Sequence, residues 1–467
     1  MRRLLMVGLM AAALAACSGS EGSGNGDGGT VNGNDAGSDA GSGNDGGTHS
    51  GTDAGTDGGS SGNVGWHVIT PNDEFASSSA YIYGVYCTAV DKCVLAAGGS
   101  LDRGGGVWAI DGDAWGELLL DGDYEDGPLS NLAGVLGDLD LTGFVKTRTG
   151  VVAKVTTSGL YLSATGDVTQ ASSWSAVKAG TVVDGSFGGN AVLTYQSSSD
   201  TEWLFANNDG YVYTAAQAPS ETTSWTRVWG PTATPPVPAD FVTQFSADHT
   251  LCDWDISTSA QPFPAQSFYA SPDLGIVMHP AYGLNQDSWR DLNNETANYG
   301  ELKAGVCIST DKGLHFHFAE LPGATELEVS SPGPFGVTCV DNDHCFAFNG
   351  TSFQENSYIY YSDNATAGKD STWTKATVPA AWATSEEISV AAVFFAPDKV
   401  HGWAVGNNAR DPMLLRTTDS GHTWVDISGQ VASLADSDLV GGFALDKDHL
   451  WVTGRYGFIG ATDTAQN

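Results

Sequence analysis

The stretch Leu414-Leu415-Arg416-Thr417-Thr418-Asp419-Ser420-Gly421-His422-Thr423-Trp424-Val425-Asp426-Ile427 decides how the rest of the chain is read. Two apolar runs flank a polar turn that contains Asp and Gly, the chemistry of a tight β-hairpin. Asp419 can accept hydrogen bonds from the turn's own N–H groups, and Gly421 permits a positive φ. Trp424 opens the returning strand with a large apolar surface. A second copy, Ser309-Thr310-Asp311-Lys312-Gly313-Leu314-His315-Phe316, keeps the hydroxyl, the Asp and the Gly but has His-Phe in place of Thr-Trp.

Outward from these octets runs an imperfect repeat, marked by a Trp after Ser or Thr that opens a short strand. Trp174, Trp225, Trp373 and Trp424 each follow a Tyr- or Leu-rich run. With Trp115 and Phe316 counted as equivalents, the intervals are 59, 51, 91, 57 and 51 residues. Periods near 50 mean repeated supersecondary units, and four-strand units of this size suggest propeller blades. After Trp424 come three strand-like runs and no fourth opened by Trp, whereas Gly65-Trp66-His67-Val68-Ile69 has the missing form. A last blade completed by this early strand would remove exposed sheet edges. The expectation is an all-β, seven-bladed β-propeller over 64–467. Within the long interval, 241–245 and 251–256 are expected as inner strands and 257–303 as an insertion. An eight-bladed parse instead pairs the run at 267–273 with 288–292.

The two octets resemble the Asp-box (BNR) hairpins of sialidase-like β-propellers, which would make Ser309, Asp311, Gly313, Phe316, Thr417, Asp419, Gly421 and Trp424 structural positions. The Trp-ended hairpins also look similar to photosystem II assembly-factor-like propellers, whose members act as binding or assembly platforms. The basic patch of the photosynthetic members is not visible here. On the sialidase side the resemblance would imply an arginine triad, a Tyr nucleophile with a Glu, and an acid/base Asp. Beyond the leader the chain has only Arg103, Arg148, Arg227, Arg290, Arg410, Arg416 and Arg455, and it lacks the family's Arg-Ile-Pro signature. Arg227 and Arg416 fall on outer strands. A propeller names an architecture, not an activity.

Residues 1–16 carry two arginines and an apolar run, and end in Leu14-Ala15-Ala16 before Cys17, the layout of a secretory signal. The ending resembles a bacterial lipobox, with Cys17 diacylated as the mature N-terminus. Ser18 after it would by analogy send the protein to the outer membrane. A plain signal cleaved after Ala16 is the alternative. No other run approaches the ~18 apolar residues of a spanning helix, so the expected state is anchored. The rest of 17–63 is almost entirely Gly, Ser, Asp, Asn and Thr. It cannot bury enough surface to fold and reads as a tether of ~35–40 Å. Formal net charge is −36. Such acidity disfavours nucleic acid and anionic lipid as partners and leaves open solubility, cation binding or a basic partner.

Lipidating Cys17 would leave six of the seven cysteines to pair in an exported protein. Cys87 and Cys93, like Cys339 and Cys345, lie across five residues in a short hairpin, and each pair should close a loop worth ~2 kcal/mol. Cys252 and Cys307 remain as the third pair. Zinc is the rival reading, but the spacing is not that of a zinc knuckle.

Asp121, Asp123, Glu125 and Asp126 form the densest carboxylate cluster, either a Ca²⁺ loop or a solvated acidic turn. No other cofactor is expected. His315 and His317 alternate with Phe316 and Phe318 and should share one strand face. The insertion holds Tyr269, Tyr282, Trp289 and Arg290, aromatics and a cation that could stack on a sugar, anchor a peptide or pack the insertion onto its own blade. Together these readings point to a monomeric, lipid-anchored binding or scaffold protein for a protein or glycan partner at the cell envelope. A sialidase-like glycoside hydrolase and a structural surface protein are the alternatives.

Overall fold

The computed structural model describes residues 65–69, 81–98, 106–111, 114–120, 141–146, 151–155, 160–164, 166–178, 193–196, 203–206, 212–215, 226–229, 269–284, 302–322, 336–348, 358–380, 382, 388–408, 411–431 and 438–462. Among them lie seven four-stranded antiparallel sheets, and the only helical turns are short 3-10 segments.

The earliest strand, β1 (Trp66–Val68), belongs to the last sheet. The first sheet holds β2 (Tyr81–Ala89), β3 (Lys92–Gly98), β4 (Gly106–Asp111) and β5 (Ala114–Leu120). The second holds β6 (Leu141–Lys146), β7 (Val151–Val155), β8 (Leu160–Ala164) and β9 (Trp174–Lys178). The third holds β10 (Leu193–Gln196), β11 (Trp203–Ala206), β12 (Val212–Ala215) and β13 (Thr226–Trp229). The fourth is β14 (Tyr269–Ala270), β15 (Val277–Leu284), β16 (Leu302–Ser309) and β17 (His317–Glu320). The fifth is β18 (Gly336–Cys339), β19 (Cys345–Phe348), β20 (Ile359–Ser362) and β21 (Thr374–Lys375). The sixth is β22 (Ile388–Phe395), β23 (Gly402–Asn408), β24 (Asp411–Thr417) and β25 (Val425–Asp426). The last is β26 (Leu439–Ala444), β27 (Leu450–Gly454) and β28 (Ile459–Thr462), completed by β1. There Trp66 pairs with Thr462, His67 with Ala461 and Val68 with Gly460.

Sheets pack face to face, so their middle strands are buried on both sides and read as continuous apolar runs. In the sixth sheet, Ala404, Met413 and Leu415 join a core with the fifth sheet, including Phe346 and Ile359. The alternate residues Trp403, Val405 and Leu414 join a core with Leu439, Leu450 and Val452 of the last sheet. That two-residue alternation is the pleat of a strand expressed as two separate cores. Trp451 then turns the other way, onto Ile82, Val85 and Leu95 of the first sheet. The last sheet thus touches both the sixth and the first. The fourth and fifth share a further core through Ile276, Met278, Val306, Val337 and Tyr360. The arrangement is consistent with an all-β propeller.

The fourth sheet corrects the expected insertion over 257–303. Two segments of that stretch, β14 and β15, are the sheet's inner strands, and β15 pairs with β16 from Val277–Ser309 through Leu284–Leu302. The roles assigned to 241–245 and 251–256 are therefore filled by β14 and β15, and those earlier residues lie outside the described ones. Tyr269 pairs with Met278, not with the 288–292 segment of the eight-bladed parse. The physical reason is a local turn. The Ser271 hydroxyl donates to Asp273 at 2.6 Å, and Asp273 accepts the Gly275 N–H at 3.0 Å, folding the chain straight back.

Candidate functional site

In an antiparallel four-stranded sheet, the hairpin joining the first two strands and the one joining the last two open at the same end. Both kinds are built here around an aspartate or its amide. In the outer hairpin of the sixth sheet, Thr417 Oγ1 donates to Asp419 Oδ1 at 2.7 Å. Asp419 accepts the Thr423 N–H at 2.9 Å, and Thr417 Oγ1 accepts the Gly421 N–H at 2.9 Å. Gly421 sits at φ 86°, and Trp424 is buried with its indole N–H on the Gly421 carbonyl at 2.9 Å. The fourth sheet repeats this through Ser309, Asp311 and Gly313, with Phe316 buried and His315 Nδ1 2.6 Å from Asp311. His315 is therefore a turn residue, and His317, on β17, does not share its partner.

The outer hairpin expected before Trp373 is present and has a related polar turn. Ser362 donates to Asn364 at 3.2 Å, and Asn364 accepts the Thr372 N–H at 2.8 Å, just before the buried Trp373. An amide replaces the carboxylate, and a 3-10 turn over Ala365–Asp370 lengthens the loop.

The inner hairpins of the fifth, sixth and last sheets carry a different spacing, Asp-x-x-His. Asp341 accepts the Asp343 and His344 N–H groups at 3.1 and 2.9 Å, and His344 Nδ1 lies 2.8 Å away. Asp398 does the same for Val400 and His401, with His401 Nδ1 at 2.6 Å. Asp446 does it for Asp448 and His449, with His449 Nδ1 at 2.8 Å. Burial works to raise the Asp341 carboxyl, but the backbone N–H groups, the Lys399 ammonium and the His344 ring outweigh it and hold it well below the usual carboxylate range. The same balance lowers Asp398 and Asp446. All three are ionised near neutrality.

Polar contacts tie these hairpins to their neighbours. Asn342 donates to Asp273 at 3.1 Å and Lys399 to Asp341 at 2.9 Å. Lys92 reaches Asp167 at 2.7 Å. Asp363 lies between His422 Nε2 at 3.2 Å and His344 Nε2 at 3.8 Å. The Thr366 hydroxyl donates to Asp343, joining an outer hairpin to an inner one.

Where the first strands of the first, fifth, sixth and last sheets run into their hairpins, they line a half-open cavity of about 540 Å³. Its aromatic lining is Tyr86, Phe394, Phe395 and Phe443, with Lys399 at the rim. Tyr86 and Phe443, from the first and last sheets, meet at 5.1 Å between ring centroids. Phe395 stacks on Phe346 at 4.8 Å, and Phe394 on Trp403 at 6.1 Å. Burial pushes the Tyr86 hydroxyl up. Two disulfides staple the walls. Cys87–Cys93 and Cys339–Cys345 each join directly opposed residues of an inner hairpin with Cα atoms 4.0 Å apart.

The aromatic strand ends and the Asp-x-x-His turns are what sequence reasoning missed. The signal existed, since Asp341, Asp398 and Asp446 each precede a His by three residues at the mouth of a strand. Of the residues expected in a binding insertion, Tyr269 is a half-buried residue of β14 packed against the core shared by the fourth and fifth sheets. Burial, then the charges of Asp273 and Asp341, drive its hydroxyl pKa up. Tyr282 occupies β15 opposite Ala304. Trp289, Arg290, the carboxylates Asp121, Asp123, Glu125 and Asp126, Cys17 and Cys252 lie outside the described residues. Cys307 is disulfide-bonded. Arg227 is on β13, Arg416 on β24, and Arg455 pairs with Asp438 at 3.2 Å. Among the described residues no group of three or more His, Cys, Asp or Glu is arranged to hold a metal ion.

No protein-family model matches this sequence, and no curated relative matches it. Among solved structures the chain is similar to YCF48 bound to D1 peptide, at 11% identity and TM-score 0.50, covering 85% of this chain and 95% of that one. It is also similar to YCF48 from Cyanidioschyzon merolae, at 10% identity and TM-score 0.51, covering 85% and 98%. A GH74 xyloglucanase from Xanthomonas campestris matches at 13% identity and TM-score 0.47, covering 86% of this chain and 54% of that one. At such identities the first two likenesses concern the fold alone.

Proposed function

We propose that this protein is a lipid-anchored, extracytoplasmic β-propeller of seven blades, closed by β1, that binds a protein or glycan partner without transforming it. The observation that carries the reading is the cavity walled by Tyr86, Phe394, Phe395 and Phe443. Concave, largely apolar sites with a few placed polar groups are where proteins hold ligands. Stapled hairpins lower the ordering cost of binding, because the walls are already in place. The likeness to YCF48, a propeller captured with a peptide, supports a protein partner as one class.

The carboxylates of Asp341, Asp398 and Asp446 are unsuited to the acid role of a hydrolase. A glycosidase needs one carboxyl held protonated as an acid, with its pKa raised. Asp341, Asp398 and Asp446 are all lowered, each by backbone N–H groups and an imidazole that outweigh burial. Groups committed to folding a turn are poor proton donors.

The test is a glycan array together with a pull-down from envelope extract, using the full chain at near-physiological salt. A ligand retained by the wild type and lost on Phe443→Leu is the expected result. Retention of nothing would remove the binding reading and leave a surface spacer. Turnover of a captured glycan would restore the hydrolase.

A further inference from the structure

We infer that the partner of the cavity is a cationic peptide segment, one of whose lysine or arginine side chains enters among Tyr86, Phe394, Phe395 and Phe443 while the hairpin carboxylates hold the flanking positive charges. This rests on the binding reading above and narrows it to one chemistry.

Three observations converge on it. The first is the lining. Aromatic faces carry negative quadrupole charge and attract a desolvated ammonium or guanidinium within about 6 Å of the ring. Tyr86 and Phe443 come from sheets that meet side by side, so a side chain in the cavity would meet rings from two walls.

The second is the rim. The four inner hairpins around the cavity carry Asp91, Asp341, Asp343, Asp398, Asp446 and Asp448 against three lysines. Each lysine is already engaged: Lys92 with Asp167 at 2.7 Å, Lys399 with Asp341 at 2.9 Å, and Lys447 with Asp448 at 2.7 Å. The carboxylates outnumber them, so the rim keeps a negative balance. An incoming anion would have to break an existing pair to find a cation, whereas an incoming cation meets six carboxylates, held by their own turns, against three ammonium groups. The whole chain, at −36, adds a long-range field of the same sign that would speed the approach of a basic partner.

The third is fixation. The carboxylates of Asp341, Asp398 and Asp446 are oriented by their own turns, and Cys87–Cys93 and Cys339–Cys345 lock two of the four hairpins. Charged, rigid turns beside an aromatic lining suit insertion of one long cationic side chain from an extended peptide.

The full chain is titrated, by fluorescence anisotropy at about 0.15 M salt, with a labelled alternating Ala-Lys peptide, its acetyl-lysine counterpart and an Ala-Glu peptide. The Ala-Lys peptide should bind, and acetylation should weaken it at least about tenfold. Tyr86→Leu and Phe443→Leu keep bulk but remove the π face, and each should cost about five- to tenfold. Lys399→Gln should tighten binding about threefold by releasing Asp341, and Asp91→Lys with Asp448→Lys should weaken it. Thermal melts of each variant check that it is folded. Affinity untouched by both leucine variants would overturn the proposal in favour of plain surface charge. Preference for Ala-Glu, or loss of binding on Lys399→Gln, would overturn it in favour of an anionic partner. Failure of every peptide while a glycan or another protein is retained in the screen above would overturn the cationic class alone and leave the binding platform standing.

Discussion

The outer and inner hairpins solve one problem with the same chemistry and end in different places. In both, a carboxylate gathers the N–H groups of its own turn, at 2.9 Å in Asp419–Thr423 and 2.9 Å in Asp341–His344. The outer turn places its aromatic after the Asp, on the returning strand, where Trp424 and Phe316 are 2% and 1% exposed between sheets. The inner turn has its aromatics before the Asp, at the end of the incoming strand, where Phe394, Phe395 and Phe443 line a cavity. One set is sealed between sheets, while the other packs partly on the same cores and partly lines the cavity. A turn motif alone does not separate these roles. The side on which its neighbouring ring lands does.

The sharpest way to break this contrast is to remove a ring of each kind. Trp424→Ala should cost ~3–5 kcal/mol, because it empties a buried site and frees the indole's partner carbonyl, read as a fall in the denaturant midpoint. Phe443→Leu should cost about 1.5 kcal/mol or less while impairing binding. Equal losses would erase the distinction. Next in size, Cys339→Ser with Cys345→Ser should lower stability by ~2 kcal/mol, the loop entropy of a short staple, measured on the oxidised protein against wild type.

A smaller effect concerns acid. Asp311, Asp341, Asp398, Asp419 and Asp446 all have carboxyls below their ordinary value of 3.8 in the fold, where hydrogen bonds outweigh the opposing effect of burial. Their stabilisation is full above that value and is lost as pH falls through the lowered one. Thermal midpoints should therefore drop below about pH 4. Asp446→Asn and Asp419→Asn should each flatten that drop. Flattening by only one would show that the two hairpin types do not share their chemistry. Smallest is Lys399→Gln, which should change stability by about 1 kcal/mol or less, as for an exposed ion pair.

The outer octets were legible because everything that makes them is local. A hydroxyl, an Asp and a Gly within five positions fold the turn whatever surrounds it, as Thr417, Asp419 and Gly421 do. The likeness of the hairpin at Ser362 to the octets was not legible because Asn364 stands for the Asp and two short 3-10 turns over Ala365–Asp370 push Thr372-Trp373 out of register. The fourth sheet was misread because β14 has only two residues, too few to show any alternation. Its Ser271–Asp273 turn has the outer chemistry but joins the first two strands. The cavity was not legible at all. It is assembled from strand ends as far apart as Tyr86 and Phe443, and only the packing of the last sheet on the first brings those rings together.

That last sheet is completed by three residue pairs, Trp66–Thr462, His67–Ala461 and Val68–Gly460. Because the partners are separated by nearly the whole folded length, the last sheet cannot finish during synthesis or export until residue 462 has emerged. Until then β1 waits without its partner, its N–H and C=O groups bare to any passing strand. Biogenesis of this sheet should accordingly be most vulnerable while its first-made strand waits for its last-made one.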